Sequence, residues 1–298
     1  QGSTERNISV VVSDSDVPKA LRALHGTFFE SDVRRIHLYC MGVGNVGGTL
    51  VDFVRDQHDQ LLEERNIDLQ ISGLANSKKM IFDTKGVDLS DWRGALANAD
   101  TESTLEGFVE RIKDMNLENS AFIDNTASAE VAALYESVLK NSVGVIASNK
   151  IAAADSYARY SGLRELASRH STDYRFETNV GAGLPVIETV KNLYNSGEKI
   201  EKIRGVFSGS LSYIFNQFSE SEAPFSKVLN EASKLGLTEP DAREDLSGND
   251  VARKLLILAR ELNIKTEFSD VSVESLVPKQ LNGKTTLHQF NIRSKELD

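Results

Sequence analysis

Cysteine and long apolar runs are the scarcest features of this chain of 298 residues. Its one cysteine, Cys40, excludes an internal disulfide and fits a reducing compartment, so the sequence predicts a cytoplasmic protein. The neighbours Tyr39 and Met41 predict that this thiol is buried in a strand. No window approaches the ~18 consecutive apolar residues of a membrane-spanning helix, which argues against a membrane protein.

Positive charge is also scarce. Lysine and arginine total 34 against 44 acidic residues, the net charge is -10, and no basic stripe is visible. A nucleic-acid partner is therefore not expected. The five histidines are scattered and are never paired at a metal-binding spacing, so a zinc site is not expected either. The sequence contains neither G-x-S-x-G nor a Walker A loop, so it gives no indication of an α/β-hydrolase or of a P-loop nucleoside triphosphatase.

The first half of the chain alternates apolar strands with amphipathic helices. A helix is predicted between each successive pair of the strands Arg34–Met41, Ile67–Leu74, Ala121–Asp124 and Val143–Ala147. This alternation indicates an α/β fold with a mostly parallel, doubly wound sheet of the Rossmann type. After Asn179 the pattern changes to mostly helices with one strand, Lys199–Phe207. We therefore expect a dinucleotide-binding domain over residues 31–179 and an α+β second domain over residues 180–298.

A glycine-rich turn follows the first of these strands and opens the next helix. Its pattern is G-x-G-x-x-G, formed by Gly42, Val43, Gly44, Asn45, Val46 and Gly47. The first glycine permits a tight turn, the second lets a pyrophosphate approach the backbone, and the third packs the helix closely on the strand. The N-terminus of the helix then faces the phosphates. In this strand–turn–helix context the motif predicts that the six residues bind a dinucleotide cofactor.

The end of the second strand bears on the choice between NAD and NADP. An NAD site usually carries an acidic residue there, which holds the ribose hydroxyls. This chain has Ser77, Lys78 and Lys79 instead, and these could accept the 2′-phosphate of NADP. The alternative is that the lysines are ordinary solvated loop charges. The sequence favours NADP and leaves NAD open.

Two later strand ends should line the same crevice, because ligands of such sheets bind beyond the carboxyl ends of the strands. Thr126 and Ser128 follow one strand, and Lys150 follows the next. A single cation at a strand end is well placed beside a nicotinamide, so we expect all three residues to contact the cofactor. Ser128 has a second interpretation, as the N-cap of the following helix.

The stretch from Gly236 to Lys254 reads GLTEPDAREDLSGNDVARK and concentrates acidic side chains in a loop before an apolar helix. Carboxylates there could take the ammonium of a small zwitterion while a lysine approaches its reactive oxygen. Asp250 and Lys254 are four residues apart, so they share one face of the helix. The alternative is a solvated acidic loop that caps the helix.

Six segments, in order, resemble the homoserine dehydrogenase family, and most closely the dehydrogenase half of bifunctional aspartokinase–homoserine dehydrogenases. They are GVGNVGG, GLANSKK, SNK, ETNVGAGLPVIET, FSGSLSYIFNQF and GLTEPDAREDLSGNDVARKLLILAR. The opening segment is similar to the end of the regulatory ACT region of those fusions. The resemblance therefore implies that residues 1–30 end an ACT-like region or linker that an aspartokinase domain precedes. It also implies a homo-oligomer in which residues 180–298 form a substrate-binding, catalytic and dimerisation domain. This domain would be incomplete and the chain truncated at its carboxyl end, since the family continues past Asp298.

The resemblance implies an NAD(P)H-dependent oxidoreductase that reversibly reduces L-aspartate 4-semialdehyde to L-homoserine, in the biosynthesis of threonine, methionine and isoleucine. By the same resemblance, Lys254 donates the proton to the forming alkoxide. The catalytic residues it implies are Lys254, Lys150 and Asp250. The substrate-binding residues it implies are Glu239, which takes the substrate ammonium, and Asp245, Asp250 and Ser210.

A second glycine-rich turn, from Glu177 to Pro185, has two interpretations. Its carbonyls could coordinate a monovalent cation, or it could be only a tight turn between domains. The resemblance implies a sodium ion held by the main-chain carbonyls of Glu177, Val180, Ala182 and Leu184.

Two other functions stay open on the residues alone. In the first, the chain is a non-catalytic regulatory or interaction fragment of a larger bifunctional enzyme, and its acidic loop is only a surface for a partner. In the second, it is a dehydrogenase of another small polar substrate. Cofactor-dependent oxidation of homoserine distinguishes all three.

Overall fold

The computed structural model describes residues 2–4, 7–29, 33–239, 241–281 and 285–298. The predicted boundary between residues 30 and 31 lies outside these ranges. The chain forms two compact units, and each of them is built from two separate segments of the sequence. The first unit contains Gln1–Ala152 and Ser161–Phe176, and the second contains Ala153–Tyr160 and Glu177–Asp298.

The first unit opens with an antiparallel pair of short strands, β1 (Gly2–Thr4) and β2 (Asn7–Ser9), and with helix α1 (Val17–Phe29). A six-stranded sheet follows, with the strand order β5-β4-β3-β6-β7-β8. Its strands are β3 (Arg34–Met41), β4 (Ile67–Ala75), β5 (Met80–Phe82), β6 (Ser120–Asp124), β7 (Gly144–Ala147) and β8 (Tyr174–Arg175). All neighbours pair in parallel except β4 and β5. The predicted parallel, doubly wound sheet is confirmed.

Six helices between β3 and β8 connect these strands. They are α2 (Asn45–Arg65), α3 (Trp92–Ala97), α4 (Leu105–Met115), α5 (Ala129–Ala133), α6 (Tyr135–Lys140) and α7 (Tyr157–Arg169). Side chains alternate along a strand, so β3 buries Tyr39 and Met41 on one face of the sheet and Leu38 and Cys40 on the other. Burial raises the pKa of the Cys40 thiol to about 12. The predicted buried strand thiol is confirmed.

The second unit is helical in its described part. Its helices are α8 (Val186–Asn195), α9 (Gly209–Glu220), α10 (Phe225–Lys234), α11 (Ala242–Leu246), α12 (Asn249–Glu261) and α13 (Leu287–Ile292). Short 3-10 helices lie at Asp14–Asp16 in the first unit, and at Glu177–Asn179, Phe268–Asp270 and Ser294–Leu297 in the second. The core of the second unit gathers Ile214, Leu229, Leu246, Leu281 and Phe290.

The predicted strand Lys199–Phe207 does not form: these residues are neither helix nor strand. A strand needs a partner for its backbone N–H and C=O groups. The described residues of the second unit hold no other strand that could pair with it. The apolar pattern of Ile203, Val206 and Phe207 therefore marks a connection that runs into α9.

A segment of residues 153–160, which we call the strap, is tied to α12 within the second unit. The guanidinium of Arg260 is fully buried and donates to the carbonyl of Ala153 at 2.9 Å. The hydroxyl of Tyr160 donates to the carboxylate of Glu261 at 2.6 Å, and the backbone N–H of Tyr157 donates to Glu267 at 3.0 Å.

Among the described helices, none is both long and apolar enough to cross a bilayer.

Candidate active site

The glycine turn of the first unit leaves a space where a ligand would approach the backbone. A Cβ atom at Gly42, which has φ of +88°, would lie 2.7 Å from a methyl carbon of Thr126, and one at Gly47 would lie 1.8 Å from the carbonyl oxygen of Gly42. The protein's own packing therefore requires these two glycines. A Cβ at Gly44 would meet no atom within 4 Å. The turn thus fits a pyrophosphate at its middle glycine.

Other residues of the turn support this fit. Gly44 is the N-cap of α2 and has no side chain, so the first N–H groups of the helix have no side-chain acceptor at the cap. Asn45 opens the helix, Val43 packs against the core, and Val46 is largely exposed. An anionic group here would accept from those N–H groups and lie at the positive end of the helix dipole.

The strand end after β6 adjoins this turn. The N–H of Asn125 donates to the carbonyl of Met41 at 3.0 Å, at the end of β3. The side-chain amide nitrogen of Asn125 is buried and has no hydrogen-bond partner among the described residues. A buried donor without an acceptor is costly, which makes Asn125 a candidate ligand contact. Sequence reasoning did not single it out, because a buried, unpaired donor has no local sequence signature.

The hydroxyls of Thr126 and Ser128 both serve the local fold. Ser128 caps α5 by accepting from the N–H of Val131 at 3.3 Å, and Thr126 accepts from the N–H of Ser128 at 3.2 Å. The N-cap interpretation of Ser128 is thus observed. Each hydroxyl still has a hydrogen to donate, so the capping role leaves cofactor contact possible.

The β4 end carries the residues predicted to choose the cofactor. Ala75 pairs with Met41, so the end of β4 lies beside the glycine turn. The side chain of Asn76 accepts from the N–H groups of Lys78 and Lys79 at 2.7 and 2.8 Å, which forms a tight turn. Ser77 and Lys78 are exposed. This arrangement is compatible with a 2′-phosphate contact and with solvated charges alike.

In the second unit, helix α12 holds the ammonium of Lys254 between two acceptors. The Nζ atom lies 2.6 Å from a carboxylate oxygen of Asp250 and donates to the carbonyl of Phe207 at 2.6 Å. The lysine side chain is only 15% exposed, whereas that of Asp250 is 42% exposed. An ammonium has three N–H groups, so these two contacts leave one for a bound molecule.

A second cluster forms around Asp245, in α11. One oxygen accepts from the hydroxyl of Ser210 at 2.6 Å, and the other accepts from the backbone N–H of Glu239 at 2.8 Å. The hydroxyl of Ser210 also lies 3.0 Å from that of Ser208, which caps α9. The carboxylate of Glu239 is exposed. The structure therefore brings Ser210, Glu239 and Asp245 together.

Residues 207–210 join the two clusters, because they supply both the carbonyl that holds Lys254 and the hydroxyl that holds Asp245. Asp241 has a different role. It caps α11 and forms a close ion pair with Arg243, whose hydrogen bonds lower the pKa of the carboxyl. The residue pattern of the loop alone does not separate this structural aspartate from Asp245, four residues later, whereas the family resemblance names only Asp245.

The turn predicted to hold sodium is stabilised by its own hydrogen bonds. The carboxylate of Glu177 accepts from the N–H groups of Ile187 and Glu188 at 2.9 and 3.0 Å and so caps α8. The carbonyl of Leu184 accepts from Val186 at 2.8 Å, and Ala182 has φ of +52°. In the part of the chain that the structure describes, no group of three His, Cys, Asp or Glu side chains could hold a metal.

Two family profiles match the chain one after the other. The profile described as “Homoserine dehydrogenase, NAD binding domain” matches residues 42–177, and the profile described as “Homoserine dehydrogenase” matches residues 185–297. The chain belongs to the homoserine dehydrogenase family. The first match covers the glycine turn and strands β4 to β8, and the second contains Lys254 and its partners, so a nicotinamide cofactor is expected in the first unit.

Similar proteins extend this family assignment. Bifunctional aspartokinase/homoserine dehydrogenase 2, chloroplastic, from Arabidopsis thaliana is 42% identical over 299 residues, covering 100% of this chain and 32% of that protein. The chain thus spans about one third of the length of such relatives. A Candida auris protein of unknown function shares 29% identity and a TM-score of 0.77, over 89% of this chain and 74% of that one.

A hyperthermophilic archaeal homoserine dehydrogenase in complex with NADPH shares the fold as well. Its TM-score is 0.64 at 24% identity, and the match covers 76% of this homoserine dehydrogenase family member and 70% of the archaeal chain. The predicted α/β fold, with a Rossmann-type nucleotide-binding domain plus a second domain, is confirmed by these matches. The strands expected of an α+β second domain are absent from the described residues of the second unit.

Proposed function

We propose that the chain is the dehydrogenase part of a bifunctional aspartokinase–homoserine dehydrogenase. It reversibly reduces L-aspartate 4-semialdehyde to L-homoserine with a nicotinamide cofactor, in the biosynthesis of threonine, methionine and isoleucine. The observation that carries the proposal is the ammonium of Lys254, held by Asp250 and by the carbonyl of Phe207 with one N–H left to donate. The match to both family profiles supports the assignment.

The chemistry requires a proton donor at the carbonyl oxygen of the substrate. When bound, the nicotinamide supplies the hydride that adds to the aldehyde carbon. The free N–H of Lys254 stabilises the negative charge that develops on the oxygen and transfers a proton to it. Asp250 keeps that ammonium in place until the transfer. In the reverse direction Lys254 removes the hydroxyl proton of homoserine.

Substrate binding is assigned to the second cluster. The exposed carboxylate of Glu239 takes the substrate ammonium, because a charge-assisted hydrogen bond is stronger than a neutral one. Both oxygens of Asp245 are occupied, by Ser210 and by the N–H of Glu239. Asp245 and Ser210 therefore fix the backbone from which Glu239 projects. Lys150, half-buried after β7, is assigned to the nicotinamide end of the first unit.

The test is the oxidation of L-homoserine by NADP at alkaline pH, and its rate is measured from the formation of NADPH. We expect Lys254→Ala to lower kcat by roughly 10²- to 10⁴-fold, the usual size of a general acid–base contribution. Lys265→Ala, an exposed lysine of the same unit, is the matched control and should leave kcat unchanged. Oxidation of another hydroxy acid instead would favour the alternative dehydrogenase. Failure to form NADPH with any substrate would favour the non-catalytic interpretation.

The cofactor preference is proposed to be NADP, with Ser77 and Lys78 at its 2′-phosphate. The support is their exposed position beside the glycine turn. Lys78→Ala should weaken NADPH binding and leave NADH binding unchanged, as measured by nicotinamide fluorescence. Lys85→Ala removes another exposed lysine of the same unit and should alter neither. Equal affinity of wild type for both cofactors would contradict the proposal.

A sodium ion is proposed at the carbonyls of Glu177, Val180, Ala182 and Leu184. The family resemblance supports it, and the left-handed backbone of Ala182 belongs to this tight turn. Replacing sodium with choline at constant ionic strength should lower the midpoint of thermal unfolding. An unchanged midpoint would argue that the turn closes through its own hydrogen bonds alone.

The assembly and location are also proposals. The family resemblance supports a homo-oligomer with an aspartokinase domain on the amino-terminal side, and the relative from Arabidopsis is named as bifunctional. The single cysteine supports a cytoplasmic location, although that relative is named chloroplastic. Sedimentation of the purified chain tests the first point, and localisation of a tagged natural protein tests the second.

A further inference from the structure

The last residue of β6, Asp124, is a fully buried carboxylate beside the nucleotide crevice. One oxygen accepts from the backbone N–H of Thr126 at 2.7 Å. The other accepts from the hydroxyl of Tyr135 at 2.6 Å and from the side-chain amide of Asn149 at 3.0 Å. Asp124 therefore joins the loop that follows β6 to the loop that follows β7.

Asn149 carries this connection to Lys150. Its amide nitrogen donates to Asp124 and also to the carbonyl of Ser128 at 2.9 Å. Its amide oxygen accepts from the N–H of Ile151 at 3.0 Å. Lys150 lies between Asn149 and Ile151 in sequence. The hydrogen bond from Ile151 to the Asn149 side chain therefore spans the backbone of Lys150 and fixes its conformation.

We propose that Asp124 is a positioning residue that sets the place of Lys150 and of the Thr126–Ser128 loop at the same time. This inference rests on the proposed function, in which both segments contact the cofactor. A carboxylate suits the position because it only accepts hydrogen bonds, and it receives them from three donors here. An asparagine of the same shape would turn an N–H₂ group towards at least one of those donors.

The central variant is therefore Asp124→Asn, compared with Asp68→Asn as a matched control. Asp68 is also a buried carboxylate of this sheet, and it accepts from Arg35 at 2.8 Å and from Gln70 at 2.9 Å. It lies near the start of β4, at the opposite end of the strands from the glycine turn. Both variants should lower the midpoint of thermal unfolding.

Only Asp124→Asn should change the cofactor site. We expect it to weaken NADPH binding by about 10-fold or more, and to lower kcat/KM for homoserine by about 10- to 100-fold, since hydrogen bonds to a charged group are lost. It should also change the rate at which an amine-reactive reagent labels the side chain of Lys150, as measured by mass spectrometry. Asp68→Asn should leave all three within about 2-fold of wild type. Equal effects of the two variants would overturn the inference.

Rescue separates positioning from a general loss of stability. The double variant Asp124→Asn with Asn149→Asp restores one donor–acceptor pair between these two side chains but removes the donor to the Ser128 carbonyl, so it should recover part of the NADPH affinity that Asp124→Asn loses. No recovery would count against the pairing. If Asp124→Asn does not fold, Asn149→Ala tests the same connection: weaker NADPH binding and altered Lys150 labelling support it, and wild-type values overturn it.

The binding and labelling measurements also keep this inference distinct from the proposed function. If the wild-type chain binds NADPH but oxidises no homoserine, the proposed function fails. A selective effect of Asp124→Asn on NADPH binding would then still support the positioning role. If wild type oxidises homoserine and Asp124→Asn leaves NADPH affinity unchanged, only the positioning role fails.

Discussion

Asp241 and Asp245 show that neighbouring carboxylates of one acidic loop can have separate tasks. Asp241 accepts from the backbone N–H of Arg243 at 3.0 Å and pairs with its guanidinium, whereas Asp245 joins Ser210 to Glu239. The first arrangement stabilises a helix end, and the second shapes the place where we expect the substrate ammonium.

We predict that Asp241→Ala lowers the free energy of unfolding by about 1 kcal/mol, the usual contribution of an N-cap, without raising KM for homoserine. Asp245→Ala should raise KM, because Glu239 loses its support. Urea denaturation and steady-state kinetics on both variants check this. A KM raised equally by both would show that the loop acts as one unit.

The folded pKa of Asp241 also gives this contribution a pH dependence. Since hydrogen bonds from Arg243 lower that pKa, the stabilisation is present above the unfolded value of about 3.9 and is lost as the pH falls through the folded value. The destabilisation caused by Asp241→Ala should therefore shrink towards low pH.

His58 shows the opposite sign. Hydrogen bonds with Asp59 and then with Asp68 raise the pKa of its imidazole against the effect of burial. Its stabilisation is therefore complete below the unfolded value of about 6.5 and is lost as the pH rises through the folded pKa. We predict that His58→Gln is more destabilising at pH ~6 than at pH ~8.5, by less than about 1 kcal/mol because the side chain is 37% exposed.

Urea denaturation at the two pH values measures this difference. Asp59→Asn is the control, since it removes the largest cause of the raised pKa and should reduce the pH dependence without removing the histidine. The same destabilisation by His58→Gln at both pH values would contradict the assignment.

In the turn that joins β3 to α2, one substitution should leave the stability of the protein nearly unchanged and weaken cofactor binding. A methyl group at Gly44 meets no protein atom within 4 Å. We predict that Gly44→Ala changes the free energy of unfolding by less than about 1 kcal/mol, since only an N-cap preference is affected. NADPH binding should weaken by about 10-fold or more, because the methyl occupies the space left for the pyrophosphate.

Gly162→Ala is the control for this experiment. Gly162 lies in α7, its added Cβ also meets no atom within 4 Å, and alanine should stabilise the helix by about 0.5–1 kcal/mol. Its NADPH affinity should equal that of wild type, measured by nicotinamide fluorescence. If Gly44→Ala bound NADPH as tightly as Gly162→Ala does, the turn would not be the pyrophosphate site.

Also at the scale of elements, the sequence pattern predicted the features that depend on residues close together in the chain. Strand β3 has the predicted bounds Arg34–Met41, and the glycine turn and the Asp250–Lys254 pair stand where spacing placed them. The strand expected at Lys199–Phe207 failed because pairing depends on a partner elsewhere in the chain. Asp124 and Asn149, 25 residues apart, meet only in the folded sheet, so no local pattern could link them.

At the scale of the whole molecule, the strap is a segment distant in sequence from α12 and is tied to that helix. Arg260 holds the carbonyls of Ala153 and Thr266 from a fully buried position. We predict that Arg260→Met lowers the free energy of unfolding by about 2–3 kcal/mol, because buried carbonyls lose their donor. Thermal unfolding followed by circular dichroism measures this loss.

Arg253→Met is the matched control for Arg260→Met, on the same helix. Arg253 is exposed, and its guanidinium carbon lies 5.9 Å from the ring centroid of Phe268. This substitution should change stability by less than about 0.5 kcal/mol. Equal losses in the two variants would mean that the strap contacts do not account for the effect of Arg260→Met.

The strap also bears on how such a protein can be divided or exchanged by recombination. A gene segment that starts at the codon for Glu177 would encode α12 and Arg260 but not residues 153–160. Its product would carry a buried guanidinium without the carbonyl of Ala153, and a Glu261 carboxylate without the hydroxyl of Tyr160. A crossover that keeps these contacts should therefore fall before Ala153, and the transferred segment would then also carry Ser161–Phe176 of the first unit.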